Sequence, residues 1–376
     1  MDVRLKVEAG ARDRAACPVV VEVPGNGVAL VQTGGQVVPC QSRALPGGRC
    51  ELRFVVEGLP AGATREYVAT LGDHAPGAAL SLRDDGQAVR VLAGGREVTA
   101  YHYCDPQAAR PYWWPLPGPF GAPLTRAWPM AKVAGEKQDH KHHRSLWVAY
   151  GELNGTDNWS EEPTCATQTH QGWNGLSAGD VAVVLDQNVC WRAHLGDPVL
   201  HERRVWRWYR ALGATQLIDL EIDLTPAPGV EEVTFGDTKE GGLCSVRVAT
   251  SMDVPAGRIQ NSAGGINEGE TWGKRAHWCD YSGPVAGQTV GIAIFDHPES
   301  FRHPTWWHVR NYGLMTANCF GLSHFTKHRE NGSYVLPSGR QLRFRYRLCL
   351  HAGNADEGKV ADRYQDYANP PTITVG

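Results

Sequence analysis

Apolar residues recur at every second position through most of this chain. The period-2 pattern predicts strands at VRLKVEA (3–9), ELRFVVE (51–57), REYVATL (65–71), AVRVLAG (88–94), SLWVAYGEL (145–153) and DVAVVLDQNV (180–189). It continues through RRVWRWYRAL (203–212), QLIDLEIDLTP (216–226), VRVATSM (246–252), TVGIAIFD (289–296) and RQLRFRYRLCLH (340–351). Alternation is cleanest in LIDLEIDL and LRFRYRLCL. Short Gly, Pro, Asn and Asp turns separate the runs. Only ADEGKVADRYQDYA (355–368) carries helical spacing, and Asn369-Pro370-Pro371 stops it. The pattern predicts an all-β protein, a large antiparallel β-sandwich with a short C-terminal helix. Residues 1–95 read as a strand-and-turn region that could belong to the same sandwich. Residues 96–376 carry the dense aromatic and ionisable clusters and form the expected main sandwich.

Composition narrows the function classes. The 376 residues are 42% hydrophobic, enough for a substantial core. Balanced charges (37 Lys and Arg, 40 Asp and Glu) offer no electrostatic case for nucleic acid or an anionic membrane. No apolar stretch is long enough to span a bilayer as a helix. The first residues alternate and carry charges, without the apolar core of a signal peptide, so a cytoplasmic location is the expectation. The ten cysteines are scattered without a CxxC pair and read as buried free thiols. With 13 Trp, 43 Gly and 24 Pro, a β protein that binds a ligand with flat apolar faces is expected, a small-molecule carbohydrate or glycoside being the usual case. No P-loop, no G-x-G-x-x-G before a helix, no G-x-S-x-G and no HExxH occurs, so a nucleotide cofactor, a serine hydrolase and a zincin lack support. Nothing in the chain sets an oligomeric state.

Candidate chemistry falls in four clusters. The first is Asp139-His140-Lys141-His142-His143-Arg144-Ser145-Leu146-Trp147. If it is extended, His140, His142 and Arg144 share one face and His143 takes the other. His140 and His142 are the best pair for proton transfer or a divalent metal, which would need further ligands from distant strands. The second is Phe235-Gly236-Asp237-Thr238-Lys239-Glu240-Gly241-Gly242-Leu243 with Arg247, where the glycines suggest backbone close to a ligand. The third is Trp272-Gly273-Lys274-Arg275-Ala276-His277-Trp278, cations set among tryptophans. The fourth joins Asp296-His297-Pro298, His303 to Arg310, and Asn318; His308 and Arg310 share a face if extended. Arg110-Pro111-Tyr112-Trp113-Trp114-Pro115 and Arg126-Ala127-Trp128-Pro129-Met130 add aromatic loops or edges.

The order of these motifs resembles the PmoA-like family of bacterial proteins over roughly residues 100–370. It rests on RPYWWPLPGPFGAPLTRAWPM, DHKHHRSLWVAYGELNGTDNWSE, GDTKEGGLCSVRVA, GKRAHWCDYSG, GIAIFDHP and HPTWWHVRNYGLMTANCFG. The resemblance implies a sugar-metabolism protein with a sandwich similar to the galactose-mutarotase supersandwich. It covers His140, His142, His143, Arg144, Asp237, Lys239, Glu240, Lys274, Arg275, Asp296, His297, His308 and Arg310, and departs at His277 and Cys319.

Residues and resemblance together point to an enzyme that cleaves an oxidised (3-keto) glycoside by acid/base elimination or hydrolysis. The expected catalytic set is His140, His142, His143, Arg144, Asp237, Lys239, Glu240 and His308. The expected substrate-binding set is Trp113, Trp147, Arg247, Lys274, Arg275, Trp278, His297, Arg310 and Asn318. A mutarotase or epimerase would use the same groups. A copper- or iron-dependent oxygenase and a non-catalytic sugar-binding protein are the further alternatives.

Overall fold

The computed structural model describes residues 1–75 and 77–376. Its main body is two eight-stranded sheets packed face to face. In the first, spatial order runs Trp307–Val309, Leu314–Ala317, Gly241–Arg247, Leu146–Tyr150, Tyr112–Trp113, Arg96–His102, Ala88–Ala93, Leu80–Asp84. In the second it runs Thr167–Ser177, Ala182–Arg192, Pro198–Tyr209, Thr215–Pro226, Leu342–Ala352, Gln288–Asp296, Trp278–Val285, Arg258–Asn261. Neighbouring strands pair antiparallel throughout. Inward residues of both sheets, among them Trp113, Leu146, Val148, Trp206, Leu220 and Leu348, form one apolar core. This is the expected antiparallel sandwich.

A second core, built from Val3, Leu5, Val31, Leu52, Phe54, Tyr67 and others, fills the N-terminal region. Its strands end at Gly72, and among the described residues only the strand Thr372–Val375 returns to join them. The strands Leu80–Asp84 and Ala88–Ala93 belong to the main sandwich, so the division falls at 73–79 rather than 95. The reason is packing: Leu80, Val89 and Val91 are buried in the main core. The N-terminal sheets lie against the outer face of the second sheet, where Val55 packs with Val181 and Tyr209 and Arg14 pairs with Asp366 at 2.8 Å. The expected C-terminal helix forms at Val360–Ala368, after a turn rather than from 355. All ten cysteines are unpaired, seven of them buried. No helix among the described residues is long and apolar enough to cross a membrane.

Candidate active site

Register alone lays out one transverse row on the outer face of the first sheet. His308 lies opposite Thr316, Thr316 opposite Ser245, Ser245 opposite Trp147, Trp147 opposite Tyr112, and Tyr112 opposite His102. Directly paired residues share a face, so these side chains line one surface while Trp113, Leu146, Val246, Met315 and Trp307 point into the core. The Ser245 and Thr316 hydroxyls bond each other at 2.7 Å.

The histidine run does not extend this strand. His143 N–H donates to the His140 carbonyl at 3.0 Å, closing a turn, and His140 and Ser145 take φ of 41° and 56°. The strand starts only at Leu146. Buried Arg126 holds the turn: it donates to the carbonyls of Asp139 (2.9 Å) and His140 (3.1 Å) and pairs with the Asp139 carboxylate. The expected split of faces is therefore corrected. His140 stacks on His143 with centroids 4.8 Å apart, and His142 meets His143 edge-on at 4.5 Å. His140 continues onto Tyr312 (5.3 Å) and His143 onto Trp147 (5.4 Å), making a four-ring column. Arg144 leaves the group. Its guanidinium grips Glu161 (2.9 and 2.8 Å) and the Gln107 carbonyl (2.5 Å).

Donor inventories fix two tautomers. Arg247, which can only donate, bonds His143 Nδ1 at 2.9 Å, so neutral His143 carries its hydrogen on Nε2. The same Arg247 pairs with Asp139 at 2.9 Å and lies 4.9 Å over Tyr312. The Trp272 indole N–H donates to His308 Nδ1 at 3.0 Å, so neutral His308 carries its hydrogen on Nε2. That nitrogen faces Glu240 Oε2 at 4.0 Å.

Protonation follows from these surroundings. Burial pushes His308 down to about 4 against the pull of Glu240. Burial, then nearby Arg110, pushes His142 down to about 4. Burial would raise the Glu240 carboxyl, but the Lys239 ion pair at 2.7 Å, His308 and His142 hold it below the usual range. Asp139, despite burial, is drawn down to about 2 by Arg247 and Arg126. Near neutral pH the cluster is thus one carboxylate flanked by two uncharged imidazoles, with the hydrogen of at least one aimed at it.

The loop bearing Glu240 is set by its neighbours. Buried Asn318 donates to the Thr238 and Lys239 carbonyls (2.9 and 3.1 Å) and accepts from the amides of Phe320 and Gly321. Gly241 and Gly242 let strands approach rather than ligand: a Cβ on Gly242 would lie 1.9 Å from Thr316 Oγ1. Asp237 accepts the amides of Ser323 (2.9 Å) and Gly332 (2.6 Å) and serves the loop.

Other expected residues lie elsewhere. Trp113 is inside the main core and Trp278 lies in the core beside the C-terminal helix. His297 packs on Tyr367, and Arg275 binds the carbonyls of His303 and Pro304. Lys274 is exposed. Arg310 pairs with Glu268 at 3.0 Å beside Tyr312. No hydrogen bond joins His140 or His142 to Glu240, His297 or His308 among the described residues, and no three His, Cys, Asp or Glu side chains there converge as a metal set. Trp272, Tyr312 and Trp159 were not singled out from the sequence. Trp272 stood within the third cluster, and Tyr312 follows Arg310 at strand spacing.

The site lies within a recognised sequence family. Residues 88–365 match the family described as "Family of unknown function (DUF6807)", and the chain belongs to it. No curated protein sequence matches. Among solved structures the chain is similar to a protein in the Glycosyl Hydrolase Family 38 from Enterococcus faecalis (9% identity, TM-score 0.47) and to an alpha-mannosidase from Enterococcus faecalis V583 (9% identity, TM-score 0.44). Each alignment covers 100% of this chain but 47% and 46% of the other, so the chain spans about half their length.

Proposed function

We propose that the outer-face cluster is the acid/base centre of a carbohydrate enzyme acting beside a sugar carbonyl, with a 3-keto glycoside as the substrate class. A ketone at C3 acidifies the C2 hydrogen. Glu240 removes it as the general base, and the electron pair moves into an enolate. The His308 Nε2–H, an uncharged donor, bonds the enolate oxygen. Collapse of the enolate expels the substituent at C1, whose oxygen takes a proton from solvent, while Glu240 returns the proton taken from C2 to solvent. Glu240 is thus the base, and Asp237, expected in the catalytic set, has no part. The single observation carrying this reading is the Trp272–His308 hydrogen bond at 3.0 Å, which turns the imidazole hydrogen towards Glu240. Tyr312 and Trp272, both partly exposed, supply flat faces for a pyranose.

The same carboxylate and donor would serve a mutarotase or epimerase. Incubation with glycosides, their 3-keto forms and free sugars, with and without EDTA, read by mass spectrometry and polarimetry, separates these. Cleavage of a keto-glycoside that Glu240→Gln abolishes is expected. No conversion of any keto-glycoside overturns the lyase reading.

A further inference from the structure

The third and fourth sequence clusters meet away from the acid/base centre. Asp296 is buried to 1% exposure at the end of its strand, and Oδ2 accepts from His303 Nδ1 (2.8 Å) and the Thr305 amide (2.9 Å). Its Oδ1 is buried without a partner. His303 therefore carries its hydrogen on Nδ1 and turns the lone pair of Nε2 outward. That lone pair faces Nδ1 of exposed His277 at 3.1 Å, and the Tyr364 hydroxyl of the C-terminal helix stands 3.4 Å from the same Nδ1.

Three donor atoms thus gather at a solvent-facing point behind a buried carboxylate. Tetrahedral zinc with bonds of about 2.0–2.1 Å holds its ligand atoms about 3.3–3.4 Å apart. The two spacings from His277 Nδ1, 3.1 Å to His303 Nε2 and 3.4 Å to the Tyr364 hydroxyl, fall within a few tenths of that. A carboxylate on the far nitrogen of a ligating imidazole is the usual outer support of such a ligand. A buried carboxylate with an unpartnered oxygen also calls for a compensating cation nearby. We propose that His277 Nδ1, His303 Nε2 and the Tyr364 hydroxyl form a binding site for a divalent d-block cation of the zinc class, with Asp296 orienting His303 and water completing the exposed side. Imidazole donors suit zinc, copper or nickel over magnesium or calcium. The bound ion would fasten the C-terminal helix to the segment 303–308, which runs into the strand carrying His308. The expected His140–His142 pair plays no part in it.

The test uses the full chain without a polyhistidine tag, titrated with Zn²⁺ against a chromophoric chelator and, separately, with Co²⁺ to record the visible spectrum of tetrahedral coordination. The wild type should take up one equivalent, and Zn²⁺ should raise its melting temperature. His277→Ala, an exposed change that leaves the core intact, and His303→Ala should each weaken binding at least tenfold and remove the thermal shift. Asp296→Asn should weaken it roughly 10- to 100-fold. Absence of a saturable equivalent, or binding unchanged in His277→Ala, overturns the proposal and leaves a shared proton between the two imidazoles.

Discussion

The outer faces of the two sheets are both rich in ionisable residues, yet they treat charge in opposite ways. On the second sheet, register sets Arg203 opposite Asp223 opposite Arg343, and Arg207 opposite Asp219 opposite Arg347. Ion pairs follow: Arg347–Asp219 at 2.6 Å, Arg207–Glu221 at 2.7 Å, Arg343–Asp223 at 2.9 Å and Arg203–Asp186 at 2.6 Å. Each of these carboxylates has its guanidinium, and the N-terminal sheets cover part of the ladder. On the first sheet the row holds imidazoles pressed out of their usual titration range, and its carboxylate, Glu240, pairs with a half-exposed Lys239 at 2.7 Å while its other oxygen faces the uncharged His308. Saturated charge is a structural device. Charge left able to gain or lose a proton is what acid/base chemistry requires.

The largest effect that would break the contrast is on the first face. Glu240→Gln should cost about 10²- to 10⁴-fold in kcat on a keto-glycoside, with an unchanged urea midpoint. Full activity in that variant would remove the base assignment. On the second face the pattern should reverse. Asp219→Asn leaves buried Arg347 unpaired and should destabilise by about 3–5 kcal/mol in urea unfolding, with kcat per folded molecule preserved. Smaller still, Trp272→Phe removes one hydrogen bond worth about 1 kcal/mol. Turnover should fall roughly fivefold, and the His308 midpoint should move up from about 4.

The pH dependence sharpens the same comparison. His142 and His308 titrate near 4 when folded and near 6.5 when unfolded, so the unfolded chain binds more protons in between. Their contribution to stability is intact above about 6.5 and is lost as pH falls towards 4. The ladder arginines stay charged and add no slope there. Denaturant midpoints measured from pH 7 to pH 4 should fall in the wild type, and less steeply in His142→Gln.

Much of the fold was legible because period 2 is a strong signal. LIDLEIDL and LRFRYRLCL form paired strands at 215–226 and 342–352. The polar strand Thr167–Ser177 escaped, since an edge with bulges at His170/Gly172 and Trp173/Gly175 keeps no alternation. The site was legible in its parts. His142, His143, Glu240, Arg247, His308, Arg310 and Asn318 stood out by residue type. Their arrangement did not, because φ of 41° at His140 and 56° at Ser145 turns a would-be strand into a loop, and no local rule foretells that from non-glycine residues. Trp272 escaped because its role is a single N–H placed by tertiary packing.

The central claim is that His308 is an uncharged Nε2–H donor facing the Glu240 carboxylate. Long-range ¹H–¹⁵N spectra of the ¹⁵N-histidine-labelled protein, assigned with a His308→Gln variant, test this directly. The account predicts the Nε2–H tautomer at pH 7 and no titration until the pH approaches 4. An Nδ1–H tautomer, or a midpoint near 6.5, would contradict it.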